Sequence, residues 1–371
     1  MLAAAVVSIA AGRILGLEDV FLVGAGLVVA LIIAAAYVHL VRADVTATRR
    51  LRPARVHAGS ASRVELTLTN RARRRSPVLS VRDPFDNGAR SARFLVAPLA
   101  PGEIGRAAYR VPTDQRGVFD LGPLEVTLSD PFGLAVAVTE AAPMTRLTVY
   151  PHIDDVPPPP MGHGDDPLAG ADHPRAFSGA GSDFYALRPY VRGDDLRKVH
   201  WPSTAKAGDL MLRQDEMPWQ ARATLVLDSR PDVCTPAAFE LLVSAAASVA
   251  VAVARHGGLL RLVTTTGFDS RWEGGVSKSE TILEHLAAVH VGEGSWPARL
   301  AAVARAPGGG ALVAFTTGLA SDDDLRAVGA LRNRFSTVTI VTVSNGRSAP
   351  GVNLVEITPD RPFVQAWRPR P

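Results

Sequence analysis

The stretch Leu187–Trp201, LRPYVRGDDLRKVHW, crowds a tyrosine, adjacent Asp194 and Asp195, three arginines, Lys198, His200 and Trp201 into one segment. A carboxylate beside an oriented imidazole is the raw material of acid–base chemistry, provided a pocket holds both against a substrate. Asp195 and His200 stand five residues apart, however, and Pro189 and Gly193 interrupt a helix in this stretch, so no regular geometry is implied. No nucleophile and no glycine-rich phosphate loop accompanies them. A hydrolase using Asp194, Asp195 and His200 is therefore the last of three readings. A structural reading uses more of the residues. Gly193 can take a turn with positive φ that Asp194 closes by accepting backbone N–H groups. Arg188 and Arg197 can form bidentate pairs with carboxylates. Tyr190 and Trp201 can bury apolar area while keeping one polar contact each. Such a segment fastens a linker to a domain and shows a charged face to a partner.

Two other groups of residues invite a chemical reading. His163, Asp165, Asp166, Asp172 and His173 have metal-ligating side chains, but they lie in VPPPPMGHGDDPLAGADHP, where Pro and Gly organise nothing. The single cysteine, Cys234, excludes an intrachain disulfide; without a base partner it reads as a small buried apolar residue. No catalytic residue, metal ligand or cofactor is assigned.

The elements that must position these residues divide the chain of 371 residues into segments. Residues 1–42 form an anchor of one or two transmembrane helices. Val20–Val41 carries no formal charge and spans roughly 33 Å as a helix, enough for a bilayer core. Met1–Leu17 is a shorter apolar run broken by Arg13, with a tight turn expected at Gly16–Asp19. Arginines follow the apolar stretch at 42, 49, 50, 52 and 55, which argues against a signal peptide and puts that end on the cytoplasmic side. The soluble part is then expected inside the inner (plasma) membrane.

Residues 43–150 read as an all-β, immunoglobulin-like sandwich. RVELTLTN alternates Val64, Leu66 and Leu68 with polar residues, and further strands are expected at 78–82, 92–97, 106–111, 118–121 and 124–129. Residues 151–181 read as a loose linker, 182–219 as the segment described above, and 359–371 as a tail. From 220 to 358, apolar strands alternate with helices, which implies a doubly wound α/β domain. Its strands are expected at 223–229, 259–266, 310–317, 337–344 and 353–358, with 270–273 completing a hairpin. Its helices are capped at Thr235–Pro236, Ser277 and Ser321. Ligands of such sheets sit at the strands' carboxyl ends, here Asp228, Ser229, Asp232, Thr264–Thr266, Thr316 and Thr317.

Between Arg42 and Arg110 there are fifteen Arg and five acidic residues, while the whole chain carries only +4. Only Lys198, Lys206 and Lys278 are lysine, so 37 of the 40 basic residues are Arg. So uniform a bias reads as coding composition and is not taken as a nucleic-acid footprint.

Leu187-Arg188, Tyr190, Gly193-Asp194, Arg197, Trp201, Ser203-Thr204-Ala205-Lys206, Leu210 and Arg213 follow a fixed spacing. Arg116-Gly117-Val118-Phe119, Leu121-Gly122-Pro123-Leu124 and Asp130-Pro131-Phe132-Gly133-Leu134 precede them. Over residues 42–345 the chain resembles domain-of-unknown-function family 58 (DUF58), membrane proteins whose C-terminal half is similar to a von Willebrand factor A domain. Lys206 stands where that family usually has Arg. The resemblance implies an inner-membrane module serving as accessory to a MoxR-type AAA+ ATPase, with Arg188, Tyr190, Gly193, Asp194, Arg197, Trp201, Ser203 and Arg213 in structural or docking roles. It also implies an alternative: A domains hold Mg²⁺ through an Asp-x-Ser-x-Ser string and serve in ligand binding or adhesion. Here the string is Asp228-Ser229-Arg230-Pro231-Asp232, a degenerate metal position at Asp228 with Arg230 and Asp232 in the hydroxyl places.

Overall fold

The structure, a computed structural model, describes residues 1–41, 44–86, 88–160, 186–190, 199–214, 221–272, 276–306, 309–344 and 346–368. It divides into two compact units, residues 1–152 with 284–288, and residues 153–283 with 289–371.

The first unit opens with two apolar helices, α1 (Leu2–Leu15) and α2 (Glu18–Leu40), joined at Gly16, whose left-handed φ of 65° ends α1. They pack through small residues: a methyl on Gly12 would lie 2.5 Å from the Phe21 backbone nitrogen, and one on Gly24 2.8 Å from Ile9. The helix α2, 23 residues, is long and apolar enough to cross a bilayer, whereas α1 has 14.

Ten strands follow: β1 (Val45–Arg52), β2 (Arg55–His57), β3 (Ser62–Asn70), β4 (Leu79–Phe85), β5 (Arg90–Val96), β6 (Ile104–Val111), β7 (Gly117–Leu121), β8 (Leu124–Ser129), β9 (Val136–Ala142) and β10 (Thr145–Tyr150). They form three sheets, ordered β1-β3-β6, β2-β10-β7 and β5-β4-β8-β9. The alternation read in RVELTLTN is the burial pattern of β3, with Val64, Leu66 and Leu68 inward. Leu79 and Val81 of β4, Leu121 of β7 and Leu147 and Val149 of β10 join them in one core. Slipping β3 by one residue would exchange Val64, Leu66 and Leu68 for Arg63, Glu65 and Thr67, so its register is strongly specified.

A polar clamp crosses that core. Arg49 of β1 donates from Nε to Asp83 Oδ2 at 3.0 Å and from Nη2 to Asp83 Oδ1; its Nη1 reaches the Leu121 and Pro143 carbonyls at 3.0 and 2.8 Å. The Tyr109 hydroxyl of β6 donates to the same carboxylate at 2.7 Å. Burial, then the bond to Asp83, pushes the Tyr109 phenol well above its ordinary pKa. The upstream motif residues serve this architecture. Gly122 has φ +99° and passes directly under the Arg49 guanidinium. Asp130 closes the turn into β9 by accepting from the Phe132 and Ala135 backbone N–H groups at 2.8 and 2.6 Å.

In the second unit the strap Ile153–Pro160 is not the loose linker expected there. Asp154 N donates to Ser248 Oγ at 2.9 Å, Val156 is buried, and the Pro157 carbonyl accepts from Trp367 Nε1 at 2.8 Å. An apolar Val among prolines whose carbonyls accept from side chains of the domain, Trp367 to Pro157 and Thr337 to Pro160, is a strip that docks without needing its own ladder. His163, Asp165, Asp166, Asp172 and His173 lie outside the described residues.

The described parts of 186–214 are β11 (Ala186–Pro189), α3 (Trp201–Ala207) and β12 (Met211–Gln214), with β11 and β12 antiparallel and Arg188 opposite Leu212. Beyond them lie β13 (Arg222–Leu227), α4 (Pro236–Arg255), β14 (Leu259–Thr264), α5 (Val276–Ala288), α6 (Trp296–Arg305), β15 (Ala311–Thr317), α7 (Asp322–Gly329), β16 (Thr337–Val343), β17 (Asn353–Ile357) and α8 (Phe363–Trp367). The five strands of β14-β13-β15-β16-β17 are all parallel. Thr235 and Ser321 cap α4 and α7 as expected, the latter with a full capping box to Asp324. The helix α4 is apolar enough for a membrane but largely buried as the core helix.

Among the described residues one expected element is absent. After β14 the chain makes a single bridge, Val263 to Asp269, and 270–272 form no strand. The Asp269 carboxylate accepts from the Arg271 backbone at 3.0 Å and Arg271 turns to φ +57°, which breaks the extended conformation that a hairpin needs.

Candidate functional site

Taken in chain order, the parallel sheet runs second, first, third, fourth, fifth strand. The order reverses between β13 and β15, and in sheets of this order the ligand crevice opens at that switch point, beyond the strands' carboxyl ends. Residues just past both ends meet there. Asp228, fully buried, follows β13 and accepts from Thr316 Oγ1 of β15 at 2.9 Å.

The crevice is filled by Arg230. Its Nε and Nη2 donate to Asp228 Oδ1 and Oδ2 at 3.0 and 2.9 Å, and Nη2 also reaches Asp324 Oδ2 at 3.0 Å. The guanidinium carbon lies 5.9 Å from the Trp296 ring centre, and the side chain is 13% exposed. The bonds to Asp228 lead in raising the Arg230 pKa above its ordinary value, against the opposing effect of burial, with Asp324 adding to them.

Around this pair the remaining rim residues satisfy one another. Ser229 Oγ lies 2.7 Å from Thr265 Oγ1, Thr264 Oγ1 lies 2.9 Å from Thr266 Oγ1, and Thr317 Oγ1 donates to the Val233 carbonyl. Asp232, grouped with them from sequence, is exposed. Cys234 is buried, its thiol 3.4 Å from the Asp228 carbonyl. Burial, reinforced by the negative charge of Asp228, pushes that thiol up to about 12.

These residues do not fit a divalent ion. Both Asp228 oxygens are engaged by Arg230, and one also by Thr316, so the carboxylate that would anchor the ion already has a cation on it. Among the described residues no cluster of three His, Cys, Asp or Glu is placed to hold a metal. A guanidinium has no vacant coordination position and cannot activate a water, so what it does here is tie the loop after β13 to the first turn of α7. Sequence reasoning placed Arg230 near this position but missed Asp324 and Trp296. The Ser321-x-x-Asp324 box was visible only as a helix start, since nothing local shows that its carboxylate also meets β13.

Of the other site residues, Gly193, Asp194, Asp195 and Arg197 lie outside the described residues. Arg188 and Arg213 stand on β11 and β12, and Tyr190 N donates to the Leu210 carbonyl at 2.7 Å. Ser203 Oγ lies 2.8 Å from His200 Nδ1 in the first turn of α3. Trp201 corrects an expectation: it is 67% exposed rather than buried. Among the described residues, a two-turn helix over a two-stranded hairpin supplies no second layer in which to bury an indole.

Residues 186–349 match the family described as Protein of unknown function DUF58. The hairpin, Trp201, Asp228 and the Arg230 crevice all lie within the matched residues. No curated protein matches the chain. Among solved structures, it is similar to the CARDB domain of a Pyrococcus furiosus protein in complex with di-metal ions, at 19% identity, covering 29% of this chain and 91% of that one with a TM-score of 0.23. It is also similar to a Listeria innocua β-glucosidase in complex with gluconolactone, at 16% identity over 29% of this chain and 16% of that one, TM-score 0.19.

Proposed function

We propose that this chain is a membrane-anchored, cytoplasm-facing adaptor, a binding module without chemistry of its own, that partners a MoxR-type AAA+ ATPase. In this reading α2 anchors the chain, the β unit is an immunoglobulin-like sandwich and the α/β unit is a von Willebrand A-like domain. One observation carries the absence of chemistry: the crevice where such sheets bind ligands is occupied by the domain's own Arg230, on Asp228 and Asp324. The arginines after the apolar stretch support the cytoplasmic side. Trp201 supports a docking role, since a large exposed indole is an anchor of the kind that dominates protein interfaces. The partner class is the one implied by the family resemblance.

A reporter fused after Pro371 reads the side of the membrane; an external terminus overturns the topology. Capture of a purified MoxR-type ATPase by the detergent-solubilised chain reads the partnership. Trp201→Ala, at an exposed position, is expected to fold normally and weaken capture about tenfold or more. No capture by wild type, or equal capture by the variant, counts against the docking role.

A further inference from the structure

The outward face of β1-β3-β6 is organised in cross-strand rows. The pairing puts Arg52 opposite Arg63 and Arg63 opposite Arg110. The next row inward along the strands is Arg50, Glu65 and Ala108, and the next is Thr48, Thr67 and Arg106. All five arginines are exposed. One carboxylate, Glu65, stands among them, 3.3 Å from Arg52. Composition explains why these residues are Arg rather than Lys, but not why three of them share one row. Like charges directly opposite on a sheet are destabilising, so folding alone does not favour Arg52-Arg63-Arg110.

The tether says what such a face meets. Four residues separate Leu40, the end of α2, from Val45, the start of β1. Fully extended, that connection spans about 17 Å, so Val45 starts near the surface from which α2 emerges. The Arg52 row lies seven residues, about 23 Å, further along β1, and meets that surface when the strands lie along the bilayer. A soluble anion must diffuse to this face, whereas the tether keeps the headgroup layer at high local concentration around the β unit. Basic clusters beside a membrane span are drawn to anionic lipid within roughly a Debye length, about 8 Å at physiological salt.

We infer that the Arg50, Arg52, Arg63, Arg106 and Arg110 face of the β unit is a docking surface for anionic lipid headgroups of the bilayer that holds α2. This rests on the membrane-anchored reading proposed above and adds the orientation of the β unit at that membrane.

The test uses the full chain in nanodiscs, with Thr67→Cys, on the same face, carrying a fluorophore and headgroup-nitroxide lipids as quenchers. Buried Cys234 stays unlabelled, which labelling of the parent chain checks. Discs are phosphatidylcholine alone or with about three-tenths phosphatidylglycerol. Quenching in the anionic discs is expected to be about twofold or more that in neutral ones, and to fall to the neutral level at roughly 0.5 M salt. The variant Arg52→Gln, Arg63→Gln, Arg110→Gln loses the difference while its thermal midpoint stays level or rises, because the repelling row is gone. Equal quenching in both disc types, or a variant that quenches like the parent, overturns the inference. So does a face that ignores lipid charge and responds to soluble poly-glutamate. Incorporation into discs is scored separately by alkali-resistant flotation. Its failure overturns the anchor and the inference together; incorporation with charge-indifferent quenching overturns the inference alone.

Discussion

Arg230 and Asp228, two residues apart, face each other across the carboxyl end of β13 in a bidentate pair, with bonds of 3.0 and 2.9 Å. A third group, Asp324, enters from α7 and leaves the trio with two carboxylates on one cation. Removing the cation strands two nearly buried carboxylates. Arg230→Ala is therefore expected to destabilise the α/β unit by on the order of 3 kcal/mol, and Arg230→Lys by less, because a lysine keeps the charge but not the fork. Thermal unfolding of the detergent-solubilised chain reads both. A variant as stable as wild type would show that the pair does not hold the crevice shut.

Gly122 lies under the other buried arginine. Its φ of +99° is strained for any residue with a Cβ, at about 1–2 kcal/mol, and a methyl there would sit 2.7 Å from Arg49 Nη2. Gly122→Ala is expected to exceed that cost, because the guanidinium must shift off Asp83. Gly133→Ala, at φ +67° with open space around it, is expected to incur the backbone cost alone. The difference between their melting midpoints isolates the Arg49 contact; equal losses would contradict it.

Local pattern was enough for the elements that carry their own signal. Val64, Leu66 and Leu68 announced β3, and Thr235-Pro236 announced the start of α4. The capped helix α6 went unread although Ser295 caps it ahead of Trp296-Pro297, because its apolar stripe is short. What was illegible is contact at a distance. Arg49 and Asp83 are 34 residues apart, and Arg230 and Asp324 are 94 apart. Nothing near any of these residues says that its charge is buried. The docking of the strap at 153–160 is illegible for the same reason, since its partners Ser248 and Trp367 lie far down the chain.

Asp269 should give the α/β unit an acid-sensitive contribution. Its carboxylate takes the Arg261 guanidinium at 2.9 and 2.6 Å. That hydrogen bonding, against partial burial, holds its pKa below the ordinary 3.8. With the folded value depressed, the stabilisation is fully present above the unfolded value and is lost as pH falls through the folded one. Asp269→Asn is therefore expected to be less stable than wild type at neutral pH, with the two converging below about pH 4. Melting midpoints across the acid range check this; a gap that stays constant with pH would remove Asp269 as its source.

Cys234 lies beside the Arg230 crevice, where a reactive thiol would signal chemistry. Burial and the neighbouring Asp228 charge oppose the thiolate, and its pKa of about 12 leaves almost none at neutral pH. The expected result is that the folded chain fails to react with an aromatic disulfide reagent near pH 8, while the denatured chain reacts with one equivalent. Arg230→Ala supplies the sharper comparison. Cys234 reaches the Asp228 carbonyl and Arg230 holds the Asp228 carboxylate, so loosening that loop should speed labelling more than an equally destabilising Gly122→Ala does. Rapid labelling of the folded wild-type chain would mean that the crevice opens on its own and that the Arg230 lock is not what keeps it closed.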